Sequence, residues 1–235
     1  MALLSQIKKI SGIIDLIYPE LCPSCCMDQP VRNHFLCLKC LSDLPLTNHH
    51  RNPQHNEVAA IFWGRIPIRA AAAIYYFSSS GGIRGILHRI KYEGRSDIAV
   101  KMGEIMGYYL AQSPAFKRVD AIVPIPLHPA KKAIRGFNQC DHLAIGLSES
   151  LDVNWLPGAV IRTRNNPSQT KLTRDKRIQN SQSLFEVCQP EELKGKNILL
   201  IDDLVTTGAT LESCGLELLE AGVENLFIAT LGCGE

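Results

Sequence analysis

The stretch that most constrains this chain is Lys196 to Leu211, KNILLIDDLVTTGATL. Asn197 to Ile201 form an apolar run suited to a buried parallel strand, and Asp202 and Asp203 follow where that strand should end. Thr206, Thr207 and Gly208 are small enough to let backbone amides turn inward, and Ala209 to Ala221 have the periodicity of an amphipathic helix. The loop thus opens onto a helix N-terminus, where free amides, hydroxyls and the positive end of the dipole suit a phosphate. The carboxylates just before it suit vicinal ribose hydroxyls. An Asp pair in isolation is more often a strand cap or a solvated turn. The order strand, acids, Thr-Thr-Gly turn, helix favours a phosphorylated ribose site instead.

The rest of the C-terminal half alternates strands and helices. The pattern predicts a strand over Ala121 to Ile125, a helix from about Ala130 to Leu151 and strands near Ala159 to Arg162 and Leu184 to Val187. The Asn197 strand and its helix follow, then a last strand over Leu226 to Leu231. A doubly wound α/β sheet of this kind binds ligands beyond the C-terminal ends of its strands. Upstream, Ile68 to Phe77 reads as a strand, and Gly81 to Tyr92 and Ile98 to Ala111 as amphipathic helices.

Near the N-terminus, Cys22 and Cys25 are separated by two residues, and Cys37 and Cys40 repeat the spacing. Each knuckle aims two thiolates at one point, and two knuckles complete the tetrahedral sulfur set of a structural zinc. Cys26 is an alternative to Cys25 as ligand, and His34 reads as a loop residue. Disulfides are the weaker reading, because Cys140, Cys188, Cys214 and Cys233 are scattered and nothing directs the chain to an oxidising compartment. Residues 1–17 place Leu3, Leu4, Ile7, Ile10, Ile14 and Ile17 on one helical face. Lys8, Lys9 and Asp15 interrupt any signal peptide or membrane span, so a cytoplasmic protein is expected. Residues 45–57, with His49, His50 and His55, read as a solvated linker.

At 235 residues the chain has room for one substantial core and a small appendage. The expected organisation is an N-terminal helix and four-cysteine, zinc-ribbon-like module over 1–50, a linker and hood-like segment over 51–96 and the main domain over 97–235. A formal net charge of +2 excludes a globally basic polyelectrolyte but leaves room for basic loops. Two occur. Pro124 to Asn138, PIPLHPAKKAIRGFN, places Lys131, Lys132 and Arg135 near a helix start, where cations oppose the dipole unless an anion such as pyrophosphate offsets them. Arg162 to Asn180 carries Arg162, Arg164, Lys171, Arg174, Lys176 and Arg177 against Asp175. It is a solvated loop or a nucleic-acid contact, though it lacks an aromatic residue for base stacking.

The sequence IDDLVTTGAT resembles the phosphoribosyl-diphosphate (PRPP) motif of type I phosphoribosyltransferases. That resemblance implies Asp202 and Asp203 on the ribose 2′ and 3′ hydroxyls. Val205, Thr206, Thr207, Gly208, Ala209 and Thr210 would lie around the 5′-phosphate, with Gly208 permitting close backbone approach. The Cys pairs, Leu87 to Tyr92, the Pro124 to Asn138 loop, Gln169-Thr170 with Leu172 and Arg177, and the IDD motif together resemble the ComF family. Its members are zinc-binding, phosphoribosyltransferase-like bacterial proteins associated with natural competence, and the wider group includes proteins linked to gluconate metabolism. The resemblance implies a type I phosphoribosyltransferase-like parallel sheet flanked by helices, with a small N-terminal zinc module built on four cysteines. It implies Zn²⁺ as a structural ion and Mg²⁺ accompanying PRPP. Lys131, Arg135, Arg174 and Arg177 would neutralise the departing pyrophosphate, the last two from a loop that folds over PRPP. Single-stranded DNA or DNA-uptake proteins are the implied partners. No motif defines an acceptor, and three readings stay open: a phosphoribosyltransferase, a nucleic-acid-handling accessory and a PRPP sensor without turnover.

Overall fold

The computed structural model describes residues 21–31, 34–78, 82–163 and 184–234. The N-terminal amphipathic segment and the loop holding Arg174 and Arg177 lie outside the described residues.

A short helix α1 (Leu38–Asp43) follows the cysteine knuckles, and α2 (Glu57–Phe62) precedes strand β1 (Ala70–Phe77). Then come α3 (Gly82–Tyr92), α4 (Ser96–Leu110), β2 (Ala121–Pro124), α5 (Pro129–Arg135), α6 (Gln139–Leu151) and β3 (Asn154–Trp155). The chain continues through β4 (Val160–Arg162), β5 (Phe185–Val187), α7 (Pro190–Leu193), β6 (Asn197–Val205), α8 (Ala209–Glu220) and β7 (Asn225–Gly234).

Five strands form a parallel sheet in the order β1-β7-β6-β2-β3. Both faces are covered, which is why the central strands read as unbroken apolar runs. From β6, Leu199 and Ile201 face one apolar layer with α3, α4, α6 and the cysteine module, whereas Ile198 and Leu200 face the other, with α2 and α8. Helices α4 and α6 meet backbone to backbone. A Cβ on Gly103 would stand 2.2 Å from the Leu143 carbonyl oxygen, and one on Gly146 would stand 1.9 Å from that of Val100. Only hydrogen at those positions allows this approach.

Four features differ from the sequence expectations. The helix expected over Ala130 to Leu151 is two helices. Gly136 adopts φ +85° and ends α5, and the Asn138 side chain accepts the Cys140 amide at 3.2 Å to start α6. Strands β4 and β5 pair with each other as an antiparallel ribbon instead of joining the sheet. β6 continues past its acids to Val205, because β7 keeps pairing alongside through Leu204↔Gly232 and Val205↔Cys233. Finally, the expected solvated linker is packed. His49 and His50 are buried, and His49 Nδ1 accepts the Ala73 amide while Nε2 meets Glu57 at 2.5 Å. Burial holds both histidines below the usual imidazole range. β1, just after this segment, is the edge strand of the main sheet.

Candidate functional site

At the C-terminal end of β6 the two carboxylates have different surroundings. The Asp202 Oδ1 accepts the Asp203 amide at 2.8 Å and lies 3.4 Å from the Cys140 thiol. Burial first, and the neighbouring Asp203 charge second, push Asp202 up to about 7. The same burial raises the thiols of Cys140 and Cys214, so both are neutral and Cys140 acts as a weak donor. Asp203 is only 6% exposed, and its Oδ2 accepts from Lys91 Nζ at 2.7 Å and from Gln139 Nε2 at 3.0 Å. Asp203 is therefore a buried charge with a charged partner and a neutral donor.

Gln139 links the pair to the loop leaving β2. Its Oε1 accepts from Arg135, whose guanidinium lies 5.9 Å from the centre of the Tyr92 ring. Lys91, Asp203, Gln139, Arg135 and Tyr92 thus form one connected set. Asp203 and Arg135 are sequence-predicted site residues, whereas Gln139, at the start of α6, was not singled out, and Lys91 and Tyr92 come from the last turn of α3. Sequence reasoning used Lys91 and Tyr92 as the end of a helix and as part of the stretch resembling the ComF family, without a role at the site; no spacing rule connects position 91 with position 203. Lys131 is exposed on α5, outside this set. Arg162 is close enough to Asp202 to feel its charge, lies 5.4 Å from the Phe185 ring and is held below its ordinary range by burial.

The turn after the acids leaves Thr206 and Thr207 exposed and Thr210 half-buried around a small pocket of about 50 Å³ at the start of α8. Gly208 has φ +73°, and a Cβ there would stand 2.5 Å from Ile61 Cγ2 and 3.0 Å from Phe62 Cε1. The glycine is thus required by the left-handed turn and by α2 packed behind it. These two requirements for glycine at 208 stand beside the expected backbone approach to a ligand and are independent of it. Arg65, another residue the sequence did not single out, donates to the Thr207 carbonyl at 2.8 Å and pairs with Glu212, fixing the turn from outside.

The sulfur atoms of Cys22, Cys25, Cys37 and Cys40 all lie within 4.8 Å of one another, with Cys25 and Cys37 3.8 Å apart. Tetrahedral coordination at a Zn–S distance of about 2.3 Å places sulfurs about 3.8 Å apart, so the donor set fits a structural zinc. The amides of Asp28 and Met27 lower Cys25 to about 7, whereas burial raises Cys40 to about 12. Between the two candidates in the first knuckle the structure chooses Cys25. Cys26 is exposed, adopts φ +60° and contacts Arg89 instead. His34 is absent from the sulfur cluster.

Comparison with known proteins adds three relatives and one domain. Residues 136–232 match the phosphoribosyl transferase domain. The chain is 31% identical over 140 residues to the DNA utilization protein YhgH of Escherichia coli strain K12, covering 58% of this chain and 61% of that protein. It is 31% identical over 147 residues to competence protein F of Haemophilus influenzae, covering 60% and 63%. It is 34% identical over 160 residues to competence protein ComFC of Bacillus subtilis, covering 66% and 60%. The chain thus spans about three fifths of the length of these relatives. No described helix is long and apolar enough to cross a membrane. A parallel sheet flanked by helices and the matched domain give the chain a phosphoribosyltransferase-like fold, and its relatives show the resemblance to the ComF family that its motifs carry.

Proposed function

We propose that the protein binds PRPP at the C-terminal end of β6 and transfers its phosphoribosyl group to an acceptor. The observation that carries this reading is the placement of Asp202 and Asp203 directly before the Thr206–Thr210 turn, with Gln139 joining Asp203 to Arg135. In this reading the two carboxylates accept hydrogen bonds from the 2′ and 3′ hydroxyls. Val205, Thr206, Thr207, Gly208, Ala209 and Thr210 surround the 5′-phosphate at the N-terminus of α8. Arg135 faces the pyrophosphate, and Lys131, Arg174 and Arg177 add positive charge as loops close.

In transfer, the bond between ribose C1 and pyrophosphate oxygen breaks, its electron pair leaving with pyrophosphate. The acceptor's lone pair forms the new bond to C1 and the acceptor loses a proton. The described residues hold no nucleophile paired with a base at this site, so rate enhancement rests on positioning and on charge placed before the reaction. Mg²⁺ bound to PRPP supplies further neutralisation of the pyrophosphate. Zinc on Cys22, Cys25, Cys37 and Cys40 is structural, because four thiolates leave no position for substrate.

The names of the relatives, DNA utilization and competence proteins, support a role in handling DNA; DNA or an uptake protein as partner, and the cytoplasm as its place, belong to the same proposal. One observation favours a PRPP sensor as the second reading: Asp203 is already engaged by Lys91 and Gln139, so sugar hydroxyls must compete with an existing network. Titration with Mg²⁺-PRPP, followed by a pyrophosphate-release assay across bases, amines and single-stranded DNA, tests all three. Binding with release supports the transferase, binding without release selects the sensor, and no binding rejects both.

A further inference from the structure

Helix α3 has the cysteine knuckle at one end and the acid pair at the other. At its first turn it sits on Ser24, which lies between Cys22 and Cys25. A Cβ on Gly82 would stand 2.5 Å from Ser24 Oγ, and one on Gly85 would stand 2.7 Å from the Ser24 carbonyl oxygen. Two glycines one turn apart thus let the helix rest directly on Ser24 of the first CxxC, Gly82 against its side chain and Gly85 against its backbone. Further along, Arg89 contacts Cys26 and pairs with Glu93 at 3.0 Å. The buried face, Ile83, Ile86, Leu87 and Ile90, belongs to the same apolar layer as Cys22, Cys37 and Cys40. At its last turn, Lys91 meets Asp203 at 2.7 Å and Tyr92 lies beside Arg135. An 11-residue helix is about 16 Å long and stiff over that length.

We propose that the cysteine module acts on the phosphoribosyl site through α3: the metal-loaded knuckle is the seat that sets Lys91 against Asp203. The inference rests on the PRPP reading above and adds regulation of that same site by metal loading. Its physical basis is that α3 is held by the knuckle at close range, where a shift cannot be absorbed by side-chain rotation because the contact is to backbone. Without metal, four thiols lose their common centre, the knuckle relaxes and Lys91 moves off Asp203. Asp203 is nearly inaccessible to water, so it then lacks its cation and the acid pair changes position. Lys91 acts here as a positioning residue for Asp203.

The test uses the full-length, metal-loaded protein and Mg²⁺-PRPP as probe. Gly85→Ala pushes α3 off the Ser24 carbonyl without removing a cysteine or touching the acid pair. With metal content equal to that of the parent, it should weaken PRPP binding roughly tenfold, within the usual range of coupling between sites. Lys91→Gln should weaken binding similarly, Lys91→Arg should restore part of the loss, and the Gly85→Ala, Lys91→Gln double variant should be no weaker than Lys91→Gln alone. Additive losses, or parental affinity in a folded, loaded Gly85→Ala, overturn the proposal.

Chelation followed by amide exchange provides a readout that needs no PRPP. Exchange across 200–206 should rise on metal removal in the parent and should change little in Lys91→Gln, where the link is already cut. That pattern in a protein that fails to bind PRPP keeps the coupling and rejects only the ligand. Unchanged exchange across 200–206 after metal removal rejects the coupling, whatever the protein binds and whether or not Gly85→Ala folds.

Discussion

The cysteine module and the proposed phosphosugar site are built by opposite strategies. The module's ligands all come from one short stretch, Cys22 to Cys40, and the spacing within each pair fixes its geometry. The site is assembled from separated elements: Lys91 from α3, Arg135 from α5, Gln139 from α6 and the acids from β6. A local site depends on what binds it, whereas a dispersed site depends on the sheet and helices that bring its parts together. Removing metal should therefore damage the first far more than removing PRPP damages the second.

The largest expected effect tests that difference at the module. Apparent zinc-binding free energies in small modules are about 10–16 kcal/mol, most of which is folding free energy. Chelation, or Cys22→Ser, should unfold the segment through α1 and leave the parallel sheet in place. Metal analysis combined with circular dichroism and thermal melting checks this. Reduced, freshly purified protein without zinc breaks the comparison, as does collapse of the whole sheet on chelation.

The next effect lies at the acid pair. Each hydrogen bond to a charged group contributes about 1.5–3 kcal/mol, so Asp202→Ala with Asp203→Ala should abolish measurable PRPP affinity. The sheet should persist, because β6 is held by backbone pairing to β2 and β7. Binding measured by calorimetry on a variant with parental circular dichroism decides the point. Retained affinity places the ligand elsewhere.

This contrast also explains how much of the molecule was legible beforehand. CxxC repeats, the IDD motif and the apolar strands are local patterns, and each appears in the structure where the sequence places it. Residues whose meaning depends on a distant partner were not legible. Lys91 had no role of its own until Asp203 appeared 2.7 Å away, and Arg65 was not singled out until the structure brought it to Thr207 and Glu212. His49 and His50 sit in a polar stretch, so periodicity marked them as solvated; the Ala73 amide, Glu57 and the Tyr109 ring account for their burial. The ribbon β4–β5 has the composition of sheet strands, and only its pairing partner distinguishes it.

A smaller effect separates scaffold from ligand contact within the turn. Gly208→Ala places a side chain at φ +73° and against Ile61 and Phe62, which should destabilise the protein by about 1–3 kcal/mol. Denaturant unfolding should register that loss, while PRPP affinity of the protein that remains folded should change little. Conversely, Thr207→Val, on an exposed residue, should leave stability nearly unchanged and weaken binding. The opposite pattern would mean that Gly208 serves the ligand after all.

The last effect is a pH dependence, and at the site it comes from Asp202, against the opposite slope of the buried His49 and His50. Its carboxyl titrates near 7 in the folded protein because burial and Asp203 disfavour its charge, against about 3.9 in an unfolded chain. Between those values the folded state holds a proton at Asp202 that the unfolded state has lost, so this group's contribution to stability falls as pH rises from about 4 to about 7 and levels off above. Ligand binding runs the other way. An ionised carboxylate accepts hydrogen bonds from sugar hydroxyls better than a neutral acid does, so PRPP affinity should rise through about pH 6 to 8 and then flatten. Groups around Asp202 set where this happens: burial and Asp203 raise its titration, whereas the Asp203 amide, the Cys140 thiol and Lys91 lower it. Asp202→Asn should abolish the rise in affinity together with the fall in stability, and Lys91→Gln should move both to higher pH. Calorimetric titrations and denaturant midpoints at matched ionic strength across about pH 5.5 to 8.5 measure the two slopes. Parent-minus-Asp202→Asn differences whose two slopes share a sign, or no difference at all, would assign the titration to another group.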